Sequence, residues 1–160
     1  MRVRPFLRLS MAIVGLISLS WSVAAGPKSP LNEDKTVRQF SDALAADIAK
    51  ADVGAIRLKM TNDFREFYTK EQFADLYKQM ASVYGQIRKY EFKKVETGIK
   101  LYESGKRCPM RKVWYAVETD KHKLGEYFLF IEVIEENGTL ASSGFSTVTF
   151  YVNGPPDDLK

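Results

Sequence analysis

The pattern of apolar positions predicts strands in the last third of the chain. Three segments there are rich in β-branched and aromatic residues and are separated by short polar connections: Lys112–Asp120, Glu126–Glu135 and Thr139–Val152. This arrangement is typical of consecutive strands in an antiparallel sheet. Asn137-Gly138 lies between the last two segments and predicts a two-residue turn, because both residues adopt positive φ at low cost. Asn137-Gly138-Thr139 also matches the N-glycosylation pattern, but the turn is sufficient to explain it.

Both faces of this predicted sheet are apolar. Alternation along the first two segments separates one set, Val113, Tyr115, Val117, Leu129, Ile131 and Val133, from a second set, Trp114, Ala116, Phe128, Phe130 and Ile134. An antiparallel sheet with one face in water alternates cleanly between apolar and polar residues, which this one does not. We therefore expect each face to be covered. The sequence leaves open which set faces the helices, because a shift of one residue in register exchanges the two faces.

An amphipathic helix is predicted near the start of the folded region. Its apolar positions follow the spacing of one helical face; they are Val37, Phe40, Leu44, Ile48 and Ala51. Asn32 or Asp34 is expected to cap the first turn, and Gly54 is expected to end the helix. Ala55–Met60 predicts a short second helix. Thr61–Phe67 is interpreted as a connection in which Phe64 and Phe67 are anchors.

A third helix has a clear start and end in the sequence. Thr69 and Gln72 match the capping box that begins a helix. The apolar face that follows consists of Phe73, Leu76, Tyr77, Met80, Val83 and Tyr84. Gly85 stands where a glycine commonly stops a helix. Gln86–Thr97 is predicted as the first strand, interrupted at Gly98, and Glu103–Arg107 as the loop before the second strand. Helices that precede strands in this way indicate an α+β fold, with the helices packed on a four-stranded antiparallel sheet.

The first 25 residues have the pattern of a secretory signal peptide. Arg2, Arg4 and Arg8 precede the apolar run Met11–Leu19, and Val23-Ala24-Ala25 forms a small-residue cleavage site. We expect cleavage after Ala25 and export to the periplasm or the medium, with no stable membrane insertion afterwards. An uncleaved anchor is the alternative, although the run is short for a membrane span. The remaining chain is divided into a flexible leader (26–35), a single domain (36–152) and a flexible C-terminal tail (153–160).

Composition excludes several functional classes. The chain carries 24 Lys and Arg residues against 20 Asp and Glu. Three of the arginines belong to the predicted signal peptide, so the exported chain is nearly neutral and no nucleic-acid partner is expected. Cys108 is the single cysteine, which excludes an internal disulfide, and we interpret it as a structural residue. His122 is the single histidine and lies in a charged turn, without the partners that a metal site needs. We expect neither a metal nor another cofactor.

Three pairs of basic residues are candidates for a basic rim at one end of the sheet. They are Lys93-Lys94, Lys106-Arg107 and Arg111-Lys112. Such a rim would attract anionic lipid head groups, polyanions or an acidic partner. Charged strand edges also prevent two sheets from pairing edge to edge, and we favour this second explanation.

The order of elements resembles the nuclear transport factor 2-like superfamily, the cystatin-like α+β cone that includes SnoaL-like cyclases and ketosteroid isomerases. Four stretches carry the resemblance: the first helix with Phe40 and Leu44, the junction Ala51-Asp52-Val53-Gly54-Ala55, the passage Tyr84-Gly85-Gln86-Ile87, and the final hairpin from Phe128 to Phe145. Together they span about residues 36–152. One departure is Thr139-Leu140-Ala141-Ser142, where relatives often have a tryptophan, which implies a thinner pocket wall.

The resemblance implies a curved sheet that wraps around the first helix and leaves a cavity at its open end. The residues expected to line this cavity are Phe40, Leu44, Tyr77, Tyr84, Trp114, Tyr115, Phe128 and Phe130. The function that we expect is an exported, non-enzymatic binding or scaffold module that uses this cavity or a sheet face to hold a small apolar ligand. The alternative is an isomerase, lyase or cyclase of the same superfamily.

The alternative enzymatic function requires an acid or base inside an apolar cavity, where burial tunes its pKa. Tyr77, Tyr84, Tyr115 and Tyr127 occupy positions typical of core residues, and Glu118 and Asp120 approach a turn. No catalytic residue is assigned from this pattern. Two convergent polar groups in the cavity, one of them ionisable, favour an enzyme, whereas a lining of Phe, Leu, Ile and Tyr alone favours apolar binding or plain core.

A homodimer through the outer face of the sheet is expected from the two apolar faces. The three predicted helices cover one face, and the other exposes more apolar surface than a soluble monomer usually tolerates. A two-fold contact is the simplest cover. The competing explanation is that the leader or the C-terminal residues 153–160 fold across this face. We consider it weaker, because Gly154-Pro155-Pro156-Asp157-Asp158 has little apolar surface.

Overall fold

The computed structural model describes residues 28–149 and 154–160. The predicted signal peptide lies outside the described residues. Four helices come first: α1 (Asp34–Ala49), α2 (Val53–Leu58), α3 (Asn62–Phe67) and α4 (Lys70–Tyr84). They are followed by the strands β1 (Ile87–Leu101), β2 (Arg107–Thr119), β3 (Tyr127–Glu136) and β4 (Thr139–Thr149). Consecutive strands pair antiparallel in the order β1-β2-β3-β4. The fold is therefore α+β, as the order of elements predicted.

Short polar side chains set the helix boundaries. Asp52 Oδ1 accepts a hydrogen bond from the backbone N–H of Ala55 at 2.9 Å and starts α2. The predicted capping box of α4 is present: Gln72 N donates to Thr69 Oγ1 at 3.2 Å, and Thr69 N donates to Gln72 Oε1 at 2.9 Å. These bonds occupy backbone donors that a helix start otherwise leaves without partners.

Three local predictions about the helices need correction. Thr61–Phe67 is not a plain connection, because Asn62–Phe67 forms α3, and Phe67 is 75% exposed rather than an anchor. Ala51 adopts φ +57° beyond the end of α1, so the helix stops there, and Gly54 lies inside α2. The residue before α1 is Glu33, whose side chain makes no capping bond.

The register of the strands decides which apolar set faces the helices. Val113 pairs with Ile131, and Tyr115 pairs with Leu129. These residues, together with Val117 and Val133, have no exposed surface and pack with Val37, Leu44 and Ile48 of α1. Trp114, Ala116, Phe128 and Phe130 therefore lie on the outer face. Irregularities at Ile87/Lys89, Phe92/Lys94 and Glu132/Val133 interrupt the ladders, and bulges of this kind bend a sheet. The sheet is curved and does not close.

The burial of the core is largely as the periodicity predicts. Leu44, Phe73, Tyr77 and Ile131 are buried. Phe40, from the predicted apolar face of the first helix, and Trp114, from the predicted pocket, are only partly buried. β1 also continues through Gly98 to Leu101 instead of being interrupted there. Met110 packs closely on Gly98, where an added Cβ would lie 2.9 Å from Met110 Cε.

Both ends of the described chain pack on the domain. Leu31, inside the leader expected to be flexible, is buried, and its carbonyl accepts a hydrogen bond from Arg111 Nε at 3.2 Å. The C-terminal residues also differ from the flexible tail that was expected. Leu159 is 1% exposed and packs on the outer face against Ala116 and Phe128. The tail therefore covers the outer face around Ala116 and Phe128, as proposed by the explanation that was considered weaker.

Candidate functional site

A cavity of about 180 Å³ lies where α3, α4 and β4 meet. Its walls combine aromatic rings with two flexible aliphatic side chains. The lining residues are Phe64, Tyr68, Phe73, Leu76, Tyr77, Met80, Gly144 and Phe145. Leu76 is 43% exposed, so the cavity opens to solvent on the side of α4.

Local sequence explains each wall of the cavity. Phe73, Leu76, Tyr77 and Met80 follow the apolar face that the sequence predicts for α4. Phe145 pairs with Ile131 and so points to the helical side of the sheet. The third wall depends on Arg57, whose Nη2 donates to the carbonyls of Arg65 at 2.7 Å and Tyr68 at 3.2 Å. These two bonds hold the end of α3 in place and thereby position the ring of Tyr68.

Aromatic contacts connect the surface to the edge strand. Ring centroids are separated by 4.8 Å between Phe67 and Tyr68, and by 5.0 Å between Tyr68 and Phe64. The series continues from Phe64 to Phe73 at 5.3 Å and from Phe73 to Phe145 at 6.4 Å, both edge to face. Such pairs are favourable beyond their buried area. The cavity is therefore a preformed aromatic site.

The chemistry of the lining is apolar. Among the residues that the structure describes, no Asp, Glu, Lys, Arg or His lines this cavity. The Tyr77 hydroxyl donates a hydrogen bond to the carbonyl oxygen of Ile48, and burial raises the pKa of Tyr77 above its usual value. That phenol stays neutral near pH 7 and its proton is engaged. The described lining is therefore mainly apolar and uncharged, and its titratable side chains are those of Tyr68 and Tyr77.

The cavity combines only one of the predicted pocket residues with others that were not predicted. Tyr77 lines it. Phe40, Leu44, Tyr84 and Tyr115 are on the same side of the sheet but pack in the core instead. Trp114, Phe128 and Phe130 are separated from it by the sheet, because the register places them on the outer face. One other lining residue was indicated by the sequence: Phe64, which was predicted to be an anchor.

A tyrosine–carboxylate pair lies elsewhere, between α1 and β2, with the tyrosine buried and the carboxylate partly exposed. Tyr115 is fully buried and its hydroxyl donates to Asp42 Oδ1 at 2.8 Å. Burial, followed by the hydrogen bond to Asp42, raises the pKa of Tyr115 far above its usual value. Because the pKa of Tyr115 is higher in the folded than in the unfolded chain, the neutral phenol contributes to the free energy of unfolding below about pH 10. This contribution is lost as the pH rises further. Because Tyr115 has no exposed surface, this pair is structural.

The outer face carries an aromatic pair beneath a lysine. Trp114 and Phe130 are 5.2 Å apart, and Lys112 Nζ lies 4.6 Å from the centroid of Phe130. Trp114 Nε1 donates to Glu96 Oε2 at 2.7 Å. Lys94 Nζ forms an ion pair with Glu96 at 2.6 Å and a second one with Asp158 of the tail. The hydrogen bond from Lys94 lowers the pKa of Glu96.

Part of the predicted basic rim is therefore engaged in internal contacts. Besides Lys94, Arg111 donates to Leu31 and to the Thr97 hydroxyl and lies 3.7 Å from Asp34. Lys106 and Arg107 are exposed at the end of the β1–β2 hairpin. Residues of the pairs Lys93-Lys94 and Arg111-Lys112 thus make contacts within the fold, whereas Lys106-Arg107 faces solvent.

The remaining candidates for chemistry lie apart from the cavity. The His122 ring is 4.2 Å from that of Tyr127 and its Nδ1 is 3.5 Å from Glu126. Asp120 accepts a hydrogen bond from Gln86 N at 2.8 Å. Cys108 is a partly buried free thiol. Within residues 28–149 and 154–160, no group of three or more His, Cys, Asp or Glu is arranged to hold a metal ion, and no helix is long and apolar enough to cross a membrane.

Comparisons with known proteins give little. Neither a scan against protein-family models nor a search of curated proteins gave a match. Among solved structures, Aln2 from a Streptomyces species is similar over 71% of this chain and 87% of that one, with 12% identity and a TM-score of 0.43. Identity and TM-score this low establish neither a family nor a function.

Proposed function

We propose that the protein is an exported, non-enzymatic module that binds a small apolar ligand between α3, α4 and β4. The observation that carries this proposal is the lining of the cavity, in which aromatic and aliphatic side chains from three elements surround about 180 Å³. Concave sites lined mainly by such residues are typical of small-molecule binding. An apolar cavity of about 150 Å³ is large enough to hold benzene.

The shape and chemistry of the lining favour a ligand with one aromatic ring or a short branched alkyl group. Phe64, Phe73 and Phe145 present ring edges and faces at angles close to perpendicular, a geometry that a further ring extends favourably. Met80 is flexible and polarisable and adapts to the outline of a guest. A charged ligand is disfavoured, since no charged side chain among the described lining residues would offset its loss of hydration.

The first prediction tests the cavity directly with toluene as a probe. Titration of the full chain with toluene is expected to shift the methyl NMR signals of Met80 and Leu76 in a saturable way. Leu76→Glu is expected to weaken toluene binding by about tenfold or more, because it places a carboxylate at the opening of an apolar site. The fold should tolerate this change, since Leu76 is 43% exposed.

Val83→Glu is the matched control for this substitution. Val83 lies two helical turns further along α4, is 63% exposed and does not line the cavity. Toluene affinity is expected to stay at the wild-type level in this variant. Equal losses in the two variants, or no saturable binding to the wild type, would refute the proposed site.

The isomerase, lyase or cyclase alternative lacks a comparable observation. In the described part of the chain, the cavity has no Asp, Glu, Lys, Arg or His, and the proton of its Tyr77 hydroxyl is engaged in the hydrogen bond to the Ile48 carbonyl. The Tyr115–Asp42 pair would be the nearest equivalent of a catalytic dyad, but a substrate cannot reach a tyrosine with no exposed surface. Membership of the nuclear transport factor 2-like superfamily remains part of the proposal, supported by the order of helices and strands and by the curved sheet.

Export is a second part of the proposal, supported by the basic start, the apolar run and the small residues before Gly26. Intact-mass analysis of protein recovered outside the cytosol is expected to give Gly26 as the first residue. Full-length chain recovered from the cytosol would contradict export.

A homodimer through the outer face is the third part of the proposal. The tail covers Ala116 and Phe128, which leaves the Trp114–Phe130 pair as the apolar centre of a two-fold contact. Light scattering is expected to show a dimer that Phe130→Glu dissociates, since that change would bring two carboxylates together near the symmetry axis. A monomer mass that persists at about 100 µM, well above the affinity of a standard interface, would exclude the dimer.

A further inference from the structure

The β1–β2 hairpin extends beyond the rest of the sheet. β2 pairs with β3 only from Arg111 to Val117. Its pairing with β1 continues for four more residue pairs, from Gly98 opposite Met110 to Leu101 opposite Arg107. Residues 98–110 therefore form a two-stranded arm without a third strand bonded to β2. We call these residues the hairpin arm.

The hairpin arm exposes large apolar side chains. Ile99 is 57% exposed and Leu101 is 66% exposed. They are two residues apart in a strand and so share one face. Pro109, which pairs with Ile99, is exposed as well. Two large exposed aliphatic residues at the end of an edge strand invite association with another surface, and natural edges usually avoid them.

Basic and aromatic residues stand at the tip of the same arm, where Arg107 pairs with Leu101 and so shares its face. Lys106 and Arg107 are exposed, and the structure records no ion pair for either among the residues it describes. Lys106 Nζ lies 5.8 Å from the ring centroid of Tyr102. Glu103 is the single acid between residues 98 and 110. Lys100 is not part of this set, because it binds Glu132 at 2.6 Å.

We infer that the hairpin arm docks on a membrane surface that contains anionic lipids. Ile99 and Leu101 would enter the boundary between head groups and acyl chains, Tyr102 would lie at the level of the head groups, and Lys106 and Arg107 would contact anionic phosphates. This is the combination of apolar, aromatic and basic side chains that favours interfacial binding.

The small size of the arm favours a membrane over a protein partner. A stable protein interface buries about 800 Å² on each partner and involves roughly 20–30 residues a side. The arm has 13 residues from 98 to 110, and only some of them are exposed. Peripheral membrane binding needs only a few inserted side chains together with a basic contribution, since apolar and electrostatic contributions add.

The charge dependence of binding tests this inference. The full chain is mixed with vesicles of phosphatidylcholine alone, or of phosphatidylcholine with phosphatidylglycerol, and bound protein is separated by flotation. Binding is expected on the anionic vesicles, with a decrease as salt is added. Lys106→Gln and Arg107→Gln are each expected to lower the partition coefficient about fivefold. Equal binding to both kinds of vesicle, or none to the anionic kind, would overturn the inference.

Replacing exposed apolar residues by serine distinguishes membrane binding by the arm from binding by other exposed surfaces. The double variant Ile99→Ser/Leu101→Ser is expected to lower the partition coefficient about tenfold or more. The control is Leu58→Ser/Val83→Ser, which changes two exposed aliphatic residues on the helices, 75% and 63% exposed, and should bind as the wild type does. A loss in the control as large as in the arm variant would contradict the assignment.

Tryptophan fluorescence locates the contact independently of affinity. In Leu101→Trp, anionic vesicles are expected to shift the emission of the new indole to shorter wavelength, because the side chain leaves water. Leu58→Trp should show no such shift. A shift in the second variant but not in the first would place the membrane contact on the helices and overturn the inference.

Discussion

Replacement of Gly85 by alanine is expected to lower the free energy of unfolding by about 2–4 kcal/mol. Gly85 follows α4 with φ +83° and ψ 168°, a region of backbone conformation that is essentially restricted to glycine. A Cβ at this position would also press on Asp120 Oδ1 and lie 2.8 Å from Thr119 Oγ1. Backbone strain and steric overlap therefore act together.

The neighbours of Gly85 cannot move away without further loss. Asp120 Oδ1 accepts a hydrogen bond from Gln86 N at 2.8 Å, and Asp120 N donates to Gln86 O at 3.1 Å. Thr119 Oγ1 accepts from the backbone N–H groups of Lys121 and His122 at 3.1 and 3.0 Å. The bonds between Gln86 and Asp120 join the end of α4 to the β2–β3 turn, and those of Thr119 hold the turn itself. Displacement of either side chain would leave backbone donors without partners.

Gly105→Ala separates the two contributions to the expected loss. Gly105 also has positive φ, at +80°, but nothing lies within 4 Å of a Cβ added there. Backbone strain alone should cost about 1–2 kcal/mol. Urea unfolding of both variants measures the difference, provided that the transition is two-state. Equal losses in the two variants would show that the contacts of Gly85 with Thr119 and Asp120 contribute nothing.

Local signals in the sequence predicted the elements that short-range chemistry controls. The capping box at Thr69, the end of α4 at Gly85 and the turn at Asn137-Gly138 each depend on neighbouring residues, and each is present. α2 and α3 each span six residues, fewer than two helical turns, so periodicity is a weak guide to both; the sequence placed α2 two residues late and missed α3. A helix of this length depends on tertiary contacts, here the bonds from Arg57 to the carbonyls of Arg65 and Tyr68.

The candidate site was less accessible to sequence reasoning than the fold. The alternation of residues identified both apolar faces of the sheet, but the choice between them depends on long-range register. Predicted pocket residues were consequently drawn from both sides, with Tyr115 on the inner face and Phe128 on the outer face. The packing of Leu159 had no signal either, since one leucine among prolines and aspartates forms no pattern.

Phe73→Ala is expected to lower the free energy of unfolding by about 3–5 kcal/mol and to enlarge the cavity. Phe73 is 4% exposed, and its ring contacts Phe64 of α3 and Phe145 of β4 edge to face. Removal of the ring eliminates the contacts that join the α3 wall to the β4 wall of the cavity. Large-to-small substitutions cost more where the surroundings cannot collapse, and the backbone bonds of α4 and β4 hold these walls apart.

Phe67→Ala is the matched control for this loss. Phe67 contacts Tyr68 at 4.8 Å, but it is 75% exposed. Truncation of an exposed side chain usually costs less than about 0.5 kcal/mol. Urea unfolding should therefore separate two phenylalanines that belong to the same series of aromatic contacts. Similar losses would show that Phe73 does not join the walls of the cavity.

Toluene should restore part of the stability that Phe73→Ala removes. A ligand that binds only the folded state stabilises it by an amount that grows with concentration, about 2.7 kcal/mol at one hundred times its dissociation constant. The space vacated by the ring adjoins the existing cavity of about 180 Å³, so the variant should bind toluene at least as tightly as the wild type. Phe67→Ala should gain no more from toluene than the wild type gains. If toluene leaves the unfolding midpoint of Phe73→Ala unchanged, the site between α3, α4 and β4 does not hold an apolar guest, and the proposed binding function loses its principal support.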